Sequence, residues 1–224
     1  MARQTSSPVK SKSARLDDKI YKKAASFGRV AARLFNQNGY VETTLEDIAA
    51  AAKASKGAIY HYFSSKDELL FFILDNYLDV VLEDFEEKVK AIQEPMDKIR
   101  FIIQRHIGLY SEHSAAAKTL LHDAHCLPAK YAKIISKKER TYFETVKGAL
   151  ATLFEADVPH ERLTALTFIL FGMCNWIYAW YNPKGPISPQ ELSDIIFRIF
   201  LFGVLSFGDS SRCSPGGSDC VECP

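Results

Sequence analysis

The chain has 224 residues, 47% of them hydrophobic and 25% charged, with a formal net charge of +1. That length suits one small domain plus a larger one, with ample apolar content for real cores. A total charge so near zero hides an asymmetry. Residues 1–66 hold 12 Lys and Arg against 5 Asp and Glu, net +7; the remainder holds 16 against 22, net −6. A basic N-terminal third on an acidic body is the footprint expected when only one end meets nucleic acid.

Residues 1–16 are polar, rich in Ser, Lys and Arg, and lack the apolar run of a secretory signal. They read as a disordered basic arm, either brushing a nucleic-acid backbone or simply solvated. A first helix is expected from about Asp17 to Asn38, where Ile20, Ala24, Phe27, Ala31 and Leu34 recur at helical spacing, with Gly39 as its stop. Two short helices follow within Thr44 to Lys66. Thr44-Leu45-Glu46-Asp47 has the form of a capping box ahead of Ile48-Ala49-Ala50-Ala51-Ala52. Ser55 can accept from the backbone N–H of Gly57 or Ala58 and start the second. Only Lys53 and Ala54 lie between, so the helices must cross steeply. Helix, tight turn, helix is the plan of a DNA-binding helix-turn-helix.

The second helix carries the chemistry that DNA requires. Ser55, Lys56, Gly57 and Ala58 offer a hydroxyl, a cation, no side chain and a methyl at its exposed start. Small residues let a helix end sit deep in a major groove, where a methyl touches thymine and a lysine reaches guanine O6/N7. Tyr60, His61 and Tyr62 offer hydroxyls and an imidazole to phosphate oxygens, while Ile59 and Phe63 should face the core. Ser65-Lys66-Asp67-Glu68 reads as a further box, placing Lys66 beside backbone donors that suit a phosphate. The expected DNA-contacting residues are therefore Thr44, Ser55, Lys56, Gly57, Ala58, Tyr60, His61, Tyr62 and Lys66.

Thr43-Thr44, Ile48-Ala49, Ser55-Lys56-Gly57, Ile59-Tyr60-His61-Tyr62-Phe63 and Lys66-Asp67-Glu68-Leu69-Leu70 resemble the DNA-binding domain of the tetracycline-repressor (TetR) family. The match reaches upstream through Ala31, Leu34, Phe35, Gly39 and Tyr40 and covers roughly Tyr21 to Val81. It departs at the turn, where the family usually has glycine and this chain has Lys53. A non-glycine residue at positive φ costs roughly 1–2 kcal/mol, so a slightly reshaped turn is expected.

Beyond Ser65 one long helix is expected to about Ile92, with Leu70, Leu74, Tyr77, Val81 and Phe85 on its stripe, broken by Gln93-Glu94-Pro95. A helix with Ile99, Ile102, Ile103, His106 and Tyr110 should follow, then one or two through Ala116 to His125, and another from Pro128 to about Phe154. No strand-like alternation occurs, so the predicted class is all-α: a three-helix DNA-binding domain over 17–66 and a larger helical effector-binding and dimerisation domain over 67–208. The most apolar stretch, Leu163 to Tyr181, is long enough to span a bilayer. Thr164, Thr167 and Asn175 inside it favour a soluble reading, with no membrane partner and a cytoplasmic location. A second apolar helix starts cleanly at Ser188, Pro189 and Glu191. Two adjacent helices so apolar read as a subunit interface, and the resemblance likewise implies a homodimer.

Among five cysteines, Cys126 and Cys174 read as buried thiols. Cys213, Cys220 and Cys223 fall in a Ser/Gly/Pro-rich tail, 209–224, expected to be disordered. Cys220-x-x-Cys223 and His122-x-x-His125-Cys126 have ligand types at suggestive spacing, yet one pair or one helical turn is a weak metal signal. No metal site or cofactor is assigned. Without a phosphate loop, nucleophile elbow or paired carboxylates in apolar context, no enzyme is expected.

Phe171-Gly172-Met173-Cys174-Asn175-Trp176-Ile177-Tyr178-Ala179-Trp180-Tyr181-Asn182-Pro183, then Gly185 and Ser188-Pro189, resemble the acyl-CoA-responsive regulators of fatty-acid and steroid-ring degradation. The implied protein is a repressor, bound as a homodimer to a double-stranded inverted-repeat operator and released by a small apolar effector such as an acyl-CoA. A redox- or metal-sensing repressor and a DNA-binding dimer without small-molecule ligand are the alternatives. Expected effector residues are Phe72, Tyr110, Phe143, Phe168, Met173 and Trp176 as apolar lining, with His106, His122, Asn175 and Tyr178 as polar groups.

Overall fold

The computed structural model describes residues 12–154 and 158–206. Among them the chain is all-α: α1 Lys12–Asn38, α2 Leu45–Ala51, α3 Lys56–Tyr60, α4 Lys66–Leu82, α5 Phe85–Ala91, α6 Pro95–Asp123, α7 Ala129–Ala151, α8 His160–Asn175 and α9 Pro189–Ser206, with 3-10 turns at Ala124–Cys126 and Trp176–Ala179. Most of the expected basic arm, residue Phe207 and the cysteine-bearing tail lie outside the described residues. Helix α1 begins at Lys12, five residues ahead of the expected start, because Ala14, Arg15 and Leu16 are all good helix formers.

Local chemistry sets most of the helix ends. Gly39, at φ +91°, leaves α1 through the left-handed region, and a Cβ there would meet the Glu42 carboxylate at 2.6 Å. Its N–H donates to Phe35 O at 2.9 Å, and the buried Thr43 hydroxyl donates to Gly39 O at 2.7 Å. At α2 the box is complete: Asp47 N–H donates to Thr44 Oγ1, and Thr44 N–H donates to the Asp47 carboxylate. At α4 it is displaced by one residue. Ser65 Oγ accepts from Glu68 N–H at 3.1 Å, but the Glu68 carboxylate reaches back to Ser64 N–H and Oγ, not to Ser65. Ser188 Oγ caps α9 by accepting from Glu191 N–H at 3.1 Å.

The single helix expected from Ser65 to Ile92 is instead two, α4 and α5. Asp84 stands between them at φ 53°, ψ 9°. Glu83, Asp84, Glu86 and Glu87 crowd this point. Four carboxylates oppose the negative end of a helix, whereas Glu86 and Glu87 favour the positive start of a new one. Aspartate tolerates the left-handed region better than most residues. Helix α6 runs unbroken by length but kinks at His113, whose φ −122° and ψ 30° are non-helical.

The chain forms two compact units, one of Met1–Val80 with His113–Lys138, the other of Val81–Glu112 with Glu139–Pro224. In the first, Phe27, Ala31, Phe35, Ile48, Ile59, Phe63, Leu70 and Leu74 make a continuous core, closed by Leu127 and Ile135. Residues 113–138 join this body through Asn36, whose amide donates to Ala115 O at 2.9 Å, and through Tyr131, stacked on Phe71 at 4.4 Å. Lys138 donates to Asp75 and Asp79 at 2.5 and 2.6 Å. Ile20, expected on the core stripe of α1, is exposed. The second unit buries Phe85, Ile99, Ile103, Ile107, Val146, Leu150, Leu170, Ile177 and Phe200.

Candidate nucleic-acid interface and effector core

The turn between α2 and α3 shows how the sequence keeps a helix-turn-helix without the usual glycine. Ala54 N–H donates to Ala49 O at 2.9 Å and Lys53 N–H to Ala50 O at 3.0 Å. This is the paired closure of a Schellman motif, with Lys53 in the left-handed position at φ 52°. The turn is therefore retained whole rather than reshaped, and the strain sits in one residue.

Helix α3 then divides into two faces. Ser55 Oγ accepts from Ala58 N–H at 3.2 Å, and Ile59, with Phe63 just past the helix, is buried in the core that residues of α1, α2 and α4 also build. Lys56, Gly57, Tyr60 and His61 share the opposite, exposed face, with Ala58 half-buried. A Cβ at Gly57 would meet nothing within 4 Å. The fold itself thus makes no demand for glycine there, whereas a helix end approaching another molecule does. Thr44 is exposed at the head of α2.

Two expected contacts have prior duties in the fold. Tyr62 is half-buried, its ring 5.6 Å from that of Phe27. Lys66 Nζ donates to Tyr40 O at 2.6 Å and Val41 O at 2.9 Å, and lies 4.5 Å from the Tyr40 ring centre. The Tyr40 hydroxyl donates in turn to Asp67 at 2.5 Å. Burial first, then that bond to a carboxylate, raises the Tyr40 pKa. Glu46, absent from the sequence-derived set, enters this surface: Lys56 Nζ lies 2.6 Å from its Oε1, and Tyr60 donates to the same oxygen at 3.2 Å. An acid repels phosphate, so nothing in the sequence alone points to Glu46 as part of this surface.

In the second unit the polar centre is His106. Its Nε2 lies 3.0 Å from Asn175 Oδ1 and its Nδ1 3.1 Å from the Tyr142 hydroxyl. Asn175 Oδ1 can only accept, so Nε2 carries the proton and Nδ1 accepts from Tyr142. Burial drives the His106 pKa down to about 4, the Asn175 bond partly opposing it. Around this trio stand the rings of Phe85 at 4.7 Å from Tyr142, Phe171 at 5.5 Å from Tyr142, and Phe143 at 4.9 Å from Phe168.

The expected effector residues do not all gather here. His106, Tyr110, Phe143, Phe168, Met173, Asn175, Trp176 and Tyr178 belong to the second unit; Phe72 and His122 belong to the first. Phe72 packs on Phe63 and Tyr21 within the helix-turn-helix core, and His122 is exposed. Tyr110 is buried, and Met173 and Tyr178 are half-buried. Trp176 is 62% exposed. Phe168 and Ile169 on α8, Trp180 just past the 3-10 turn, and Ile195, Ile199 and Phe202 on α9 are likewise large, apolar and exposed. The stretch His160–Ala179 is long and apolar enough to cross a membrane by length and composition alone. Leu166, Leu170 and Cys174 on its other side are nevertheless buried in the unit. Among the described residues no group of three or more His, Cys, Asp or Glu could hold a metal ion.

A capped helix-turn-helix with an exposed, small-residue face on its second helix, in a chain that is all-α among the described residues, defines a DNA-binding regulator. Residues 29–72 match the family described as bacterial regulatory proteins, tetR family, and residues 93–204 match the tetracyclin repressor-like C-terminal domain. The chain belongs to the TetR family of transcriptional regulators and is not an enzyme. It is 24% identical over 186 residues to the HTH-type transcriptional repressor KstR2 of Mycobacterium tuberculosis, covering 80% of this chain and 91% of that one. A TetR-family regulator from Bordetella parapertussis superposes with TM-score 0.76 at 30% identity, over 82% and 96% of the two chains. AibR, in a crystal structure with isovaleryl coenzyme A and operator DNA, superposes with TM-score 0.69 at 26% identity, over 79% and 96%.

Proposed function

We propose that the protein is a ligand-responsive repressor that binds an inverted-repeat operator as a homodimer and leaves it when an acyl-CoA or similar small apolar effector binds. The observation that carries the DNA reading is the exposed start of α3, where Lys56 projects beside a glycine that nothing in the fold requires. Ser55, Gly57 and Ala58 would enter the major groove with Lys56, with Thr44 at its edge and Tyr60 and His61 on the flanking phosphates. The dimer reading rests on the exposed apolar residues of α8 and α9, since large exposed patches mark interaction sites. Two copies of α3 would then read half-sites about one helical turn, roughly 34–36 Å, apart or a multiple of it. Such a regulator works in the cytoplasm.

The effector reading rests on the His106–Tyr142–Asn175 set inside its aromatic shell, an apolar environment with a few placed polar groups, and on the likeness to AibR, which was crystallised with an acyl-CoA. Arg100 is already paired with Asp194 at 3.1 Å and stacked on Phe197. Arg140 and Arg162, both exposed in the second unit, are the better candidates for the phosphates of coenzyme A. If effector lowers operator affinity by some factor, operator lowers effector affinity by the same factor. The test is a panel of acyl-CoA thioesters scored for thermal stabilisation and for release of a duplex selected from a random pool. Stabilisation and release by the same thioester are expected. A panel without effect at hundreds of micromolar would remove the acyl-CoA part and leave the repressor standing.

A further inference from the structure

The Glu46 carboxylate is an anomaly on a surface that meets a polyanion. It lies on the second residue of α2, partly exposed, and takes no part in the Thr44–Asp47 box that starts that helix. Its partners are instead two residues of α3, one turn apart on the exposed face. Lys56 Nζ approaches Oε1 to 2.6 Å and Tyr60 donates to the same oxygen at 3.2 Å, with Nζ also 5.7 Å from the Tyr60 ring centre. The Lys56 side chain is 68% exposed and that of Glu46 43%. An acid in the first turn of α2 suits the positive end of that helix, but an ion pair so exposed adds little to the stability of the fold, so the helix start explains an acid here without explaining its turn towards α3.

For DNA the pair has a definite meaning. A lone lysine on α3 would settle on any phosphate, and its attraction would be independent of sequence. With Glu46 beside it, the local charge is near zero and a phosphate approaching Lys56 also meets a carboxylate. Lys56 gains only where it finds acceptors while Glu46 finds a donor. In the major groove guanine presents O6 and N7 as acceptors, and its paired cytosine presents the N4 amino group as a donor. One G·C pair sets two adjacent acceptors beside one donor, the order a lysine next to a carboxylate needs, whereas an A·T pair places its single donor, adenine N6, between the acceptors N7 and O4. We propose that Glu46 is a specificity-determining residue, which together with Lys56 reads a single G·C base pair of the operator and weakens binding to random DNA. Tyr60, released from Glu46 when the pair engages the bases, becomes available to a phosphate.

This inference rests on the proposed operator binding by α3, and the experiment separates the two. Full-length wild type, Glu46→Gln, Glu46→Ala and Lys56→Ala are each put through selection from a randomised duplex pool, followed by titration of the wild-type-selected duplex and of a random duplex over a salt series. Glu46→Gln keeps the side-chain shape, and melting curves confirm that each variant folds. Both Glu46 variants should bind the random duplex more tightly, with a salt slope steeper by up to about 0.9 as Lys56 becomes free for phosphate. Their preference for selected over random duplex should fall about tenfold or more, the scale of one misread base pair. The base position relaxed in both Glu46 variants should be the G·C position relaxed in Lys56→Ala. Relaxation at a different position, or equal loss of affinity for both duplexes, overturns the role of Glu46 while leaving operator binding intact. A wild type without preference for any duplex overturns both.

Discussion

The face of α3 and the outer face of α8 and α9 are equally open to solvent but chemically opposite. The first presents Lys56, Gly57, Tyr60 and His61, polar or small, held by caps and a turn that are all satisfied within about ten residues. The second presents Phe168, Trp176, Ile199 and Phe202, large and apolar, with nothing local to keep them outside. The contrast teaches that exposure by itself assigns no partner. A satisfied polar face is at home in water, whereas large exposed apolar side chains are of the kind that mark interaction sites.

Two substitutions on α9, two positions apart, should have opposite effects. Phe200 is 3% exposed and Phe202 is 71% exposed on the same helix. Phe200→Asp should cost several kcal/mol by burying an unpaired charge, and the second unit should lose its cooperative melting. Phe202→Asp should leave protomer melting nearly unchanged but give monomers by sedimentation, with operator affinity lost. A Phe202→Asp protein that remains dimeric would show that this exposed apolar face is not the interface.

A smaller effect is expected from pH. His106 has its folded pKa lowered to about 4 by burial, below the roughly 6.5 of the unfolded chain. Its neutral form is the native one, so its contribution is fully present above about pH 6.5 and is lost as pH falls towards 4. By pH 5, before most carboxylates titrate, about 2 kcal/mol should be gone. His106→Gln, melted at pH 7 and pH 5, should show a smaller drop than wild type. An equal drop would place the acid sensitivity elsewhere.

Two changes on the DNA-binding side test the reading face without touching the core. Lys53→Gly relieves a left-handed non-glycine residue and should stabilise the protein by about 1 kcal/mol, seen as a higher melting temperature. Gly57→Ala should be neutral or slightly stabilising, by about 0.5–1 kcal/mol, because open space receives the methyl and alanine favours the helix. Its operator affinity should nevertheless fall. Unchanged affinity would mean that α3 does not approach DNA closely at Gly57.

The caps at Thr44, Ser55 and Ser188, the stop at Gly39 and the two-faced α3 were legible in the sequence, because each acts across about four residues and needs only neighbours along the chain. The all-α class and the TetR resemblance were legible for the same reason. What tertiary structure decided were the questions of facing and meeting. Periodicity placed Ile20 on a core stripe that the fold leaves exposed, and put Phe200 on an apolar stripe expected at a subunit interface, where the fold buries it within the unit. Trp176 read as a pocket residue and lies outside, since an apolar side chain looks the same whether its neighbour is its own chain or another. His106 meets Tyr142 and Asn175, 36 and 69 residues away, and Glu46 meets Lys56 only because the Lys53 turn folds α3 back across α2. Such pairs depend on how helices cross, which is set by the whole core and not by any local run of residues.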